Sequence, residues 1–266
     1  MRFFGGSILS LLTVACTFAQ TPAIFPGGVV NGVTYAPGVP VAPGSIASIF
    51  GSDLAATLAQ ADSVPLSTNL ANVSVTMNGI PAPLFFVGPG QVNVQVPFNV
   101  LPDGANTGLA TVIVRQGQLA SNVQSVQIAP LSPAIFTTAS NAVGNAIAVN
   151  PDGTIAAPTG SIPGLISRPA NAGDPLVILA TGLGPVTPTV ANGANSSDQL
   201  RTTVNTPTVL IGGQPAQLLF SGLSPSFTGV YQINTVIPAG LTGPVVSLQL
   251  QIGGLITSDQ VTIAIQ

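Results

Sequence analysis

Hydrophobic and polar residues alternate with a period of two along much of this chain. In residues 91–97, Val92, Val94 and Val96 alternate with Asn93 and Gln95. Successive side chains of a β-strand point to opposite faces of the sheet, so this pattern gives one apolar face and one polar face. The segment is therefore predicted to be a half-buried strand.

Similar short apolar segments recur along the chain and are separated by turns rich in Gly and Pro. In the first half the predicted strands are residues 46–50, 73–77, 84–87, 111–115 and 123–128. In the second half they are residues 176–180, 208–211, 218–221, 231–237, 245–252 and 260–265. Only residues 54–61 are rich in Ala and Leu, and we expect at most a short helical turn there.

Two β-hairpins are predicted from their turn residues. Residues 29–34 contain an Asn-Gly pair, which favours a two-residue turn between antiparallel strands. Residues 149–155 contain Pro, Asp and Gly in the order that suits a type I turn followed by a bulge. Each turn is expected to bring its flanking apolar residues together as paired strands.

Five blocks of sequence occur twice, in the same order. The pairs are residues 22–25 and 133–136, 43–54 and 172–183, 78–86 and 212–220, 91–97 and 232–238, and 117–119 and 253–255. A repeated order of this kind indicates two homologous domains. We predict a first domain at residues 20–130 and a second at residues 131–266, which begins with a hairpin-containing connector at residues 131–171.

Many short strands, turns rich in Gly and Pro, and the lack of an amphipathic helical pattern favour a β-sandwich over a barrel or an α/β fold. The sequence therefore predicts an all-β protein with two sandwiches in tandem. Residues 20–266 contain no cysteine, which excludes the inter-sheet disulfide of antibody domains.

Several motifs resemble known families. Residues 43–54 (Pro-Gly-Ser-Ile-x-Ser-Ile-Phe-Gly-x-x-Leu) and 91–97 (Gln-Val-Asn-Val-Gln-Val-Pro) are similar to a family of secreted acidobacterial proteins of unknown function, found mostly as a C-terminal domain of larger exported proteins. Residues 180–185 and 231–234 are similar to the same family. Each half also resembles the immunoglobulin-like IPT/TIG domain, so the resemblance implies two tandem immunoglobulin-like β-sandwich domains. It implies no catalytic residues.

Residues 1–19 have the features of a secretory signal peptide. Arg2 gives a short basic start, an apolar segment follows, and small residues occupy the positions before Gln20 that signal peptidase reads. We predict cleavage after Ala19 and an exported protein, located outside the cell or in the cell envelope or periplasm.

Cys16, the only cysteine, offers a second processing route. Cleavage before Cys16 would create a lipoprotein, although Thr13 stands where such proteins usually have a Leu-like residue. Under either route, no later segment is long and apolar enough to span a membrane.

Charged residues make up only 4% of the chain, against roughly 25% in an average soluble protein. All cations are Arg and all anions are Asp, and the chain has no Lys, Glu, His or Trp. The usual general base, zinc ligand and Schiff-base former are therefore missing. The cations are also too scattered to neutralise a nucleic-acid backbone. Three of them are interpreted as solvated surface cations: Arg115, Arg168 and Arg201.

Two partial matches to functional motifs are interpreted as turns. Residues 222–226 (Gly-Leu-Ser-Pro-Ser) nearly match a nucleophile elbow, but the last Gly is missing and no His is present to activate the Ser. Residues 182–185 (Gly-Leu-Gly-Pro) lack the third Gly and the following helix of a dinucleotide-binding loop.

Four aspartates lie among turn-forming residues: Asp103, Asp152, Asp174 and Asp198. Hydrogen bonding within Asx turns explains them better than an acidic catalytic pair. No Asp-x-Asp spacing suggests a calcium site. We therefore predict no catalytic, cofactor-binding or metal-ligating residues, and no cofactor.

The polar faces of the predicted strands are candidates for contact with a partner. Asn93, Gln95, Gln249 and Gln251 suit a neutral ligand such as a glycan, and they suit the solvent-facing side of a sandwich equally well. Lys, the usual protector of sheet edges, is missing, so self-association through strand edges is also expected.

Three functional hypotheses follow from these patterns. The first is a non-enzymatic, exported tandem β-sandwich that acts as a structural, adhesion or protein-interaction module at the cell envelope or outside the cell. The second is a carbohydrate-binding module, which the scarcity of aromatic residues disfavours. The third is a hydrolase that uses Asp alone. The partner is an unidentified protein or glycan and not a nucleic acid.

Overall fold

The protein is described by a computed structural model that covers residues 20–102, 104–258 and 260–266. The predicted signal peptide, Cys16 and both candidate cleavage sites lie outside the described residues, as does Asp103. Every element of regular secondary structure in the described ranges is a strand. No helix capable of crossing a membrane occurs in that part of the chain.

The first half forms two sheets that pack face to face. Its strands are β1 (Ala23–Asn31), β2 (Ile46–Ser52), β3 (Ala59–Gln60), β4 (Val73–Met77), β5 (Ile80–Pro81), β6 (Leu84–Val87), β7 (Gln91–Gln95), β8 (Gly108–Gln116), β9 (Leu119–Ala120) and β10 (Gln124–Ile128). One sheet has the order β1-β2-β7-β6-β3 and the other has the order β10-β8-β4-β5, with β9 beside β8. This arrangement, called the first sandwich below, matches the ABED and CFG sheets of the immunoglobulin fold.

The second half repeats this arrangement. Its strands are β11 (Ala134–Ile135), β12 (Gly144–Asn145), β13 (Ala148–Val149), β14 (Ile155–Ala156), β15 (Ser167–Arg168), β16 (Pro175–Thr181), β17 (Val186–Thr187), β18 (Thr202–Thr203), β19 (Thr208–Ile211), β20 (Gln214–Leu223), β21 (Tyr231–Val236), β22 (Gly243–Ile252), β23 (Leu255–Ile256) and β24 (Val261–Ile265). The orders β13-β16-β21-β20 and β24-β22-β19 again correspond to ABED and CFG. The protein thus contains two immunoglobulin-like sandwiches in tandem, and this half is called the second sandwich.

One long strand joins the two sheets of the second sandwich. The first residues of β20, up to Ala216, pair with β19, and the later residues, from Gln217, pair with β21. The ladder between β20 and β21 has a bulge between Leu218 and Phe220. In the first sandwich the same segment is divided into β5 and β6, on either side of Pro83. Proline has no N–H for the ladder, whereas Gln217, its counterpart in the repeat, has one. A bulge still occurs between Leu84 and Phe86, the equivalent place.

Each sandwich has its own hydrophobic core. The first cluster of buried residues runs from Ile24 to Ile128 and includes the alternating Val92 and Val94. The second runs from Leu131 to Ile265. Burial alternates along the strands, as in β4, where Val73, Val75 and Met77 are buried and the intervening residues are partly exposed. The two cores therefore come from consecutive parts of the chain.

The strands predicted from the alternating pattern are confirmed. Three of them have the predicted bounds, namely β4, β6 and β19, and the others differ by a few residues at their ends. The predicted hairpin at residues 149–155 is also confirmed. Val149 pairs with Ile155, and the Gly153 N–H donates to the Asn150 carbonyl to close the turn.

The predicted hairpin at residues 29–34 is wrong. Val29 and Val30 pair with β2 and not with the residues that follow the turn. The side-chain oxygen of Asn31 accepts a hydrogen bond from the Val33 N–H, 2.9 Å away, and so forms an Asx turn. Val33 is buried against Ala134 of the second sandwich. Because of this contact, the chain after the turn does not come back to pair with Val29 and Val30.

Residues 54–61 form no helical turn, which agrees with the expectation of at most a short one. The segment makes two bends and then forms the edge strand β3, which pairs with β6. Leu54 and Ala55 are buried in the first core, whereas Leu58 is 72% exposed. The buried residues of the segment are therefore adjacent, at its start. A helix that packs on a core needs its apolar residues three or four positions apart, so this pattern does not suit a helix.

The last strand of each sandwich has a partner on its outer edge. Val41 bridges to Ile128 in the first sandwich, and Ala170 bridges to Ile265 in the second. Strand β12 lies parallel to β24 and covers more of the same edge. These short parallel contacts protect edges that Lys would otherwise guard. Self-association through the edges that stay open remains a prediction.

Candidate ligand-binding site

A loop of the second sandwich, residues 188–201, connects the domain interface to a groove. Its base is closed by pairing of β17 with β18, where Val186 faces Thr203. An Asn-Gly turn at Asn192 and Gly193 forms its tip, and Ala194 N–H donates to the Ala191 carbonyl there. The loop tip faces the first sandwich, and the residues after the tip return to the second.

The loop tip is held by a buried hydrogen-bond network. Gly193 N–H donates to the Gln95 side-chain oxygen over 2.7 Å, and Gln95 is 1% exposed. The Gly193 carbonyl accepts hydrogen bonds from the Leu66 N–H and from the Thr228 hydroxyl. Each buried polar group would cost about 1–3 kcal/mol if left unpaired, so the network favours one relative placement of the two sandwiches.

Two further sets of contacts support that placement. The buried Asn31 amide donates to the Ser132 hydroxyl over 3.2 Å, and that hydroxyl donates to the Pro40 carbonyl over 2.6 Å. At the loop tip, Phe98 N–H donates to the Asn192 side-chain oxygen over 2.8 Å. The interface therefore has buried polar contacts in two places, the loop tip and the Asn31–Ser132 contact, besides the apolar contact of Val33 with Ala134.

The environment of Gln95 in the structure differs from the one that the sequence predicts. Asn93 and Gln95 were expected together on a face that meets solvent or a ligand. Asn93 is partly buried and accepts a hydrogen bond from Ser48, whereas Gln95 is enclosed between the sandwiches. Gln249 and Gln251 lie on β22, in the other sheet of the second sandwich. The four predicted polar residues therefore do not form one surface.

Arg201 closes the 188–201 loop and is not a solvated surface cation. Only 5% of it is exposed, which contradicts the prediction. Its guanidinium forms a fork with the Asp198 carboxylate at 2.5 and 2.9 Å, and it also donates to the Thr189 carbonyl and the Ser196 hydroxyl. Arg–carboxylate forks have fixed geometry, so Arg201 orders the second half of the loop.

A groove of about 380 Å³ lies between this half of the loop and the sheet that contains β20 and β21. Its lining residues are Ser196, Ser197, Gln199, Leu200, Phe220, Leu223, Pro225, Gln232 and Asn234. Gln232 Nε2 donates to Asn234 Oδ1 over 2.9 Å, which fixes the two amides side by side. The groove thus combines amide and hydroxyl groups with one aromatic ring.

The first sandwich carries a related surface. Gln91 Nε2 donates to Asn93 Oδ1 over 2.8 Å, as Gln232 does to Asn234, and Phe86 corresponds to Phe220. A shallow depression there is lined partly by Phe50, Leu58 and Phe86. The Gln-x-Asn pair is therefore a repeated feature, but only the second copy lies under the 188–201 loop.

The other two arginines occupy separate places. Arg168 donates to the Asp152 carboxylate over 2.6 Å, and both side chains are partly exposed. Arg115 is exposed on β8, as predicted. The Asx turn predicted at Asp152 is confirmed, because Thr154 N–H donates to its carboxylate. At Asp174, the carboxylate accepts a hydrogen bond from Asn171.

Both partial catalytic motifs lie at strand ends, residues 222–226 at the end of β20 and residues 182–185 after β16. Ser224 is buried after the end of β20, and its hydroxyl accepts a hydrogen bond from the Ser226 N–H. Residues 182–185 follow β16, and the buried Tyr231 hydroxyl donates to the Gly184 carbonyl. Burial raises the pKa of Tyr231, so its hydroxyl remains a proton donor to this turn at neutral pH.

A second cavity, of about 360 Å³, lies between the sandwiches. Its walls are mainly apolar and include Pro43, Phe98, Pro130, Pro185 and Val190. Three polar side chains line it, Asn99, Asn106 and Thr189, against five in the groove under the 188–201 loop. The groove is therefore the better candidate site in the described part of the chain.

No protein-family model matches the sequence, and no curated protein matches it significantly. Among solved structures, the chain is similar to SGBP-B of the Bacteroides ovatus mixed-linkage glucan utilization locus in complex with a mixed-linkage heptasaccharide, at 13% identity over 87% of this chain and 43% of that chain, with a TM-score of 0.35. A plexin extracellular region matches at 13% identity over 97% of this chain and 20% of its own, with a TM-score of 0.30. A titin immunoglobulin tandem matches at 11% identity over 93% and 97%, with a TM-score of 0.21.

The chain spans less than half the length of the first two of these structures. At such TM-scores the strand order described above, and not the overall superposition, identifies the immunoglobulin-like fold.

The stability of the protein is expected to be constant from about pH 5 to pH 9. Between Gln20 and Gln266 the titratable side chains are Asp, Tyr and Arg, whose ordinary pKa values lie outside this interval. The Arg201 fork lowers the pKa of Asp198 to about 2, and hydrogen bonds from Thr154 and Arg168 lower the pKa of Asp152 to about 2.

For both carboxylates the folded pKa lies below the unfolded value of 3.8. Their stabilising contribution is therefore complete above pH 3.8 and is lost as the pH falls through 2. Urea denaturation between pH 2 and pH 9 should give a plateau in the free energy of unfolding, followed by a fall below about pH 4. A decline that begins near pH 6 would contradict this assignment.

Proposed function

We propose that this protein is a non-enzymatic, exported recognition module, in which two immunoglobulin-like sandwiches are held in one relative orientation to present a composite surface. The proposal rests on the buried hydrogen bond between Gly193 and Gln95. A buried amide with a matched donor favours one docking geometry over others, because misplaced alternatives leave polar groups unpaired. A fixed tandem presents contacts from both sandwiches to one partner.

Two of the acidic residues are unsuited to general-acid catalysis. A carboxyl group that acts as a general acid at neutral pH needs a raised pKa. Asp152 and Asp198 have lowered pKa values and form ion pairs with Arg168 and Arg201. Asp152 therefore stabilises a turn, and Asp198 stabilises the 188–201 loop.

Retention of an envelope component by the purified chain tests the role. The chain is immobilised and exposed to a cell-envelope fraction, and retained proteins and glycans are identified. The same measurement is made with Gln95→Leu, whose two sandwiches are expected to stay folded but to lose their fixed orientation. If the proposed role is correct, the wild-type chain should retain a specific component and the Gln95→Leu variant should not. Equal retention by both forms, or no retained component, contradicts the proposal.

Export is tested separately by expressing the chain with and without residues 1–19. The full chain should appear in the periplasmic or extracellular fraction, and the truncated chain should remain in the cytoplasm. A full-length protein found in the cytoplasm would contradict an exported role.

A further inference from the structure

We propose that the groove under the 188–201 loop binds a neutral glycan. This inference rests on the proposed recognition role and assigns a ligand class to one part of the surface. Gln232, Asn234 and Phe220 form its floor, and Ser196 and Ser197 line the opposite side. The volume of about 380 Å³ falls within the range of about 300–1,000 Å³ that is usual for small-molecule sites.

The floor offers both donors and acceptors to a ligand. The Gln232 to Asn234 hydrogen bond uses one N–H of Gln232 and one acceptor position of Asn234. The Gln232 side-chain oxygen and the Asn234 amide nitrogen keep their remaining capacity. Hydroxyl groups of a sugar both donate and accept, so a neighbouring acceptor and donor suit a pair of adjacent hydroxyls.

An aromatic ring lies beside these amides. Phe220 faces Asn234 across the strand pair and is partly exposed. The apolar C–H face of a sugar ring packs against an aromatic ring, while its hydroxyls reach the amides at the side. Five of the nine lining residues are polar and four are apolar, so the groove offers hydrogen-bonding groups beside apolar surface.

The groove favours a neutral ligand over an anionic one. None of its lining residues carries a formal charge. Arg201, the nearby cation, is already bound in a fork by Asp198 and is 5% exposed, so it does not offer its charge to a ligand. An anionic ligand would therefore lose hydration without gaining a counter-charge.

Arg201 acts as a positioning residue for this site. Its guanidinium donates to the Ser196 hydroxyl, 3.3 Å away, and its backbone carbonyl accepts from Leu223 N–H. Ser196 and Leu223 both line the groove. The wall is therefore ordered before a ligand arrives, which lowers the entropic cost of binding. The matching Gln91 and Asn93 pair of the first sandwich has no such wall.

Calorimetric titration of the purified chain with neutral hexasaccharides tests the inference. The panel contains the β-1,4-linked oligomers of glucose, xylose and mannose, and hexagalacturonate serves as an anionic comparison. At least one neutral member should bind, and the anionic oligomer should bind at least 10-fold more weakly. Tighter binding of hexagalacturonate, or binding of no neutral member, would overturn the inference.

Four variants locate the site. Gln232→Ala and Asn234→Ala each remove one neutral hydrogen-bonding group, and each should weaken binding about 5- to 10-fold. Ser197→Trp places a large ring at an exposed position of the rim and should abolish binding without touching the core. Gln251→Ala removes an exposed amide from the other sheet and should leave affinity unchanged. Thermal unfolding of each variant shows that the fold is kept.

The outcomes separate this inference from the proposed function. If Gln251→Ala weakens binding as much as Gln232→Ala does, or if Ser197→Trp binds normally, the groove is not the glycan site. The recognition role still stands in that case if an envelope component is retained by the wild type and lost in Gln95→Leu. Enzymatic cleavage of a bound hexasaccharide would contradict the proposed function itself.

Discussion

Gly182→Ala should destabilise the protein by about 4 kcal/mol or more. A β-carbon built at Gly182 would lie 1.9 Å from the Ser132 carbonyl oxygen and 2.6 Å from its carbon. Both atoms are backbone, so relief requires movement of the chain and not a change of rotamer. The position also has a φ of +74°, which adds about 1–2 kcal/mol for any residue with a side chain. Chemical denaturation of the variant measures the loss.

Gly173→Ala is the matched control for this substitution. Gly173 has a φ of +88°, but a β-carbon there would meet nothing within 4 Å. Its cost should be limited to the same backbone contribution of about 1–2 kcal/mol from the left-handed conformation. A similar loss of stability in the two variants would show that the contact with Ser132 is not responsible. Because Ser132 also accepts from Asn31, Gly182→Ala should disturb the domain interface as well.

Gln95→Leu should uncouple the two sandwiches. The change removes the acceptor of the Gly193 N–H and leaves a buried donor unpaired, at a cost of about 2 kcal/mol. The core strands on either side keep their packing, because Gln95 points toward the interface and not into the first core. Calorimetry should show one unfolding transition in the wild type and two in the variant, and small-angle scattering should show a larger radius of gyration.

Gln127→Leu provides the control for the same chemical change. Gln127 is on the edge strand β10, where its side chain is exposed. This variant should keep the single transition and the radius of gyration of the wild type. If the wild type itself unfolds in two independent transitions, the sandwiches are not coupled and the interface does not fix their orientation.

The groove and the interface depend on the same loop. Gly193 at its tip contacts the first sandwich, and Ser196 after the tip lines the groove. A ligand that orders the groove wall should therefore also strengthen the interface, since both restrict one segment. The conformation of residues 188–201 therefore determines both the orientation of the two sandwiches and the geometry of the groove.

The strands could be predicted because each depends on local alternation. Val73, Val75 and Met77 are buried in β4 as their spacing requires. The Asn-Gly signal was less reliable. It failed at Asn31, where the side chain bonds to its own turn and to Ser132, whereas at Asn192 the same pair forms a turn at the tip of the loop. A local turn signal does not reveal what the turn will contact.

The candidate site could not be derived in the same way. Gln95 and Gln232 both occur in alternating strands, yet one is enclosed at the interface and the other faces the groove. The sequence predicts a solvated Arg201 because isolated cations usually lie at the surface. Its pairing with Asp198 depends on an irregular loop whose path has no periodic signature. The repeated Gln-x-Asn motif can be read from the sequence. The sequence does not show that one copy lies in a groove and the other on an open surface.

The sequence by itself determined an all-β chain with two related halves, very few charges and no Lys, Glu, His or Trp, because alternation, repetition and composition are local or additive properties. The tertiary structure alone decided which polar face meets the other sandwich, which arginine is buried and which repeat has a covered groove. These features arise from contacts between residues far apart in the chain, such as Gln95 with Gly193. Their energies depend on packing and desolvation, which no single segment encodes.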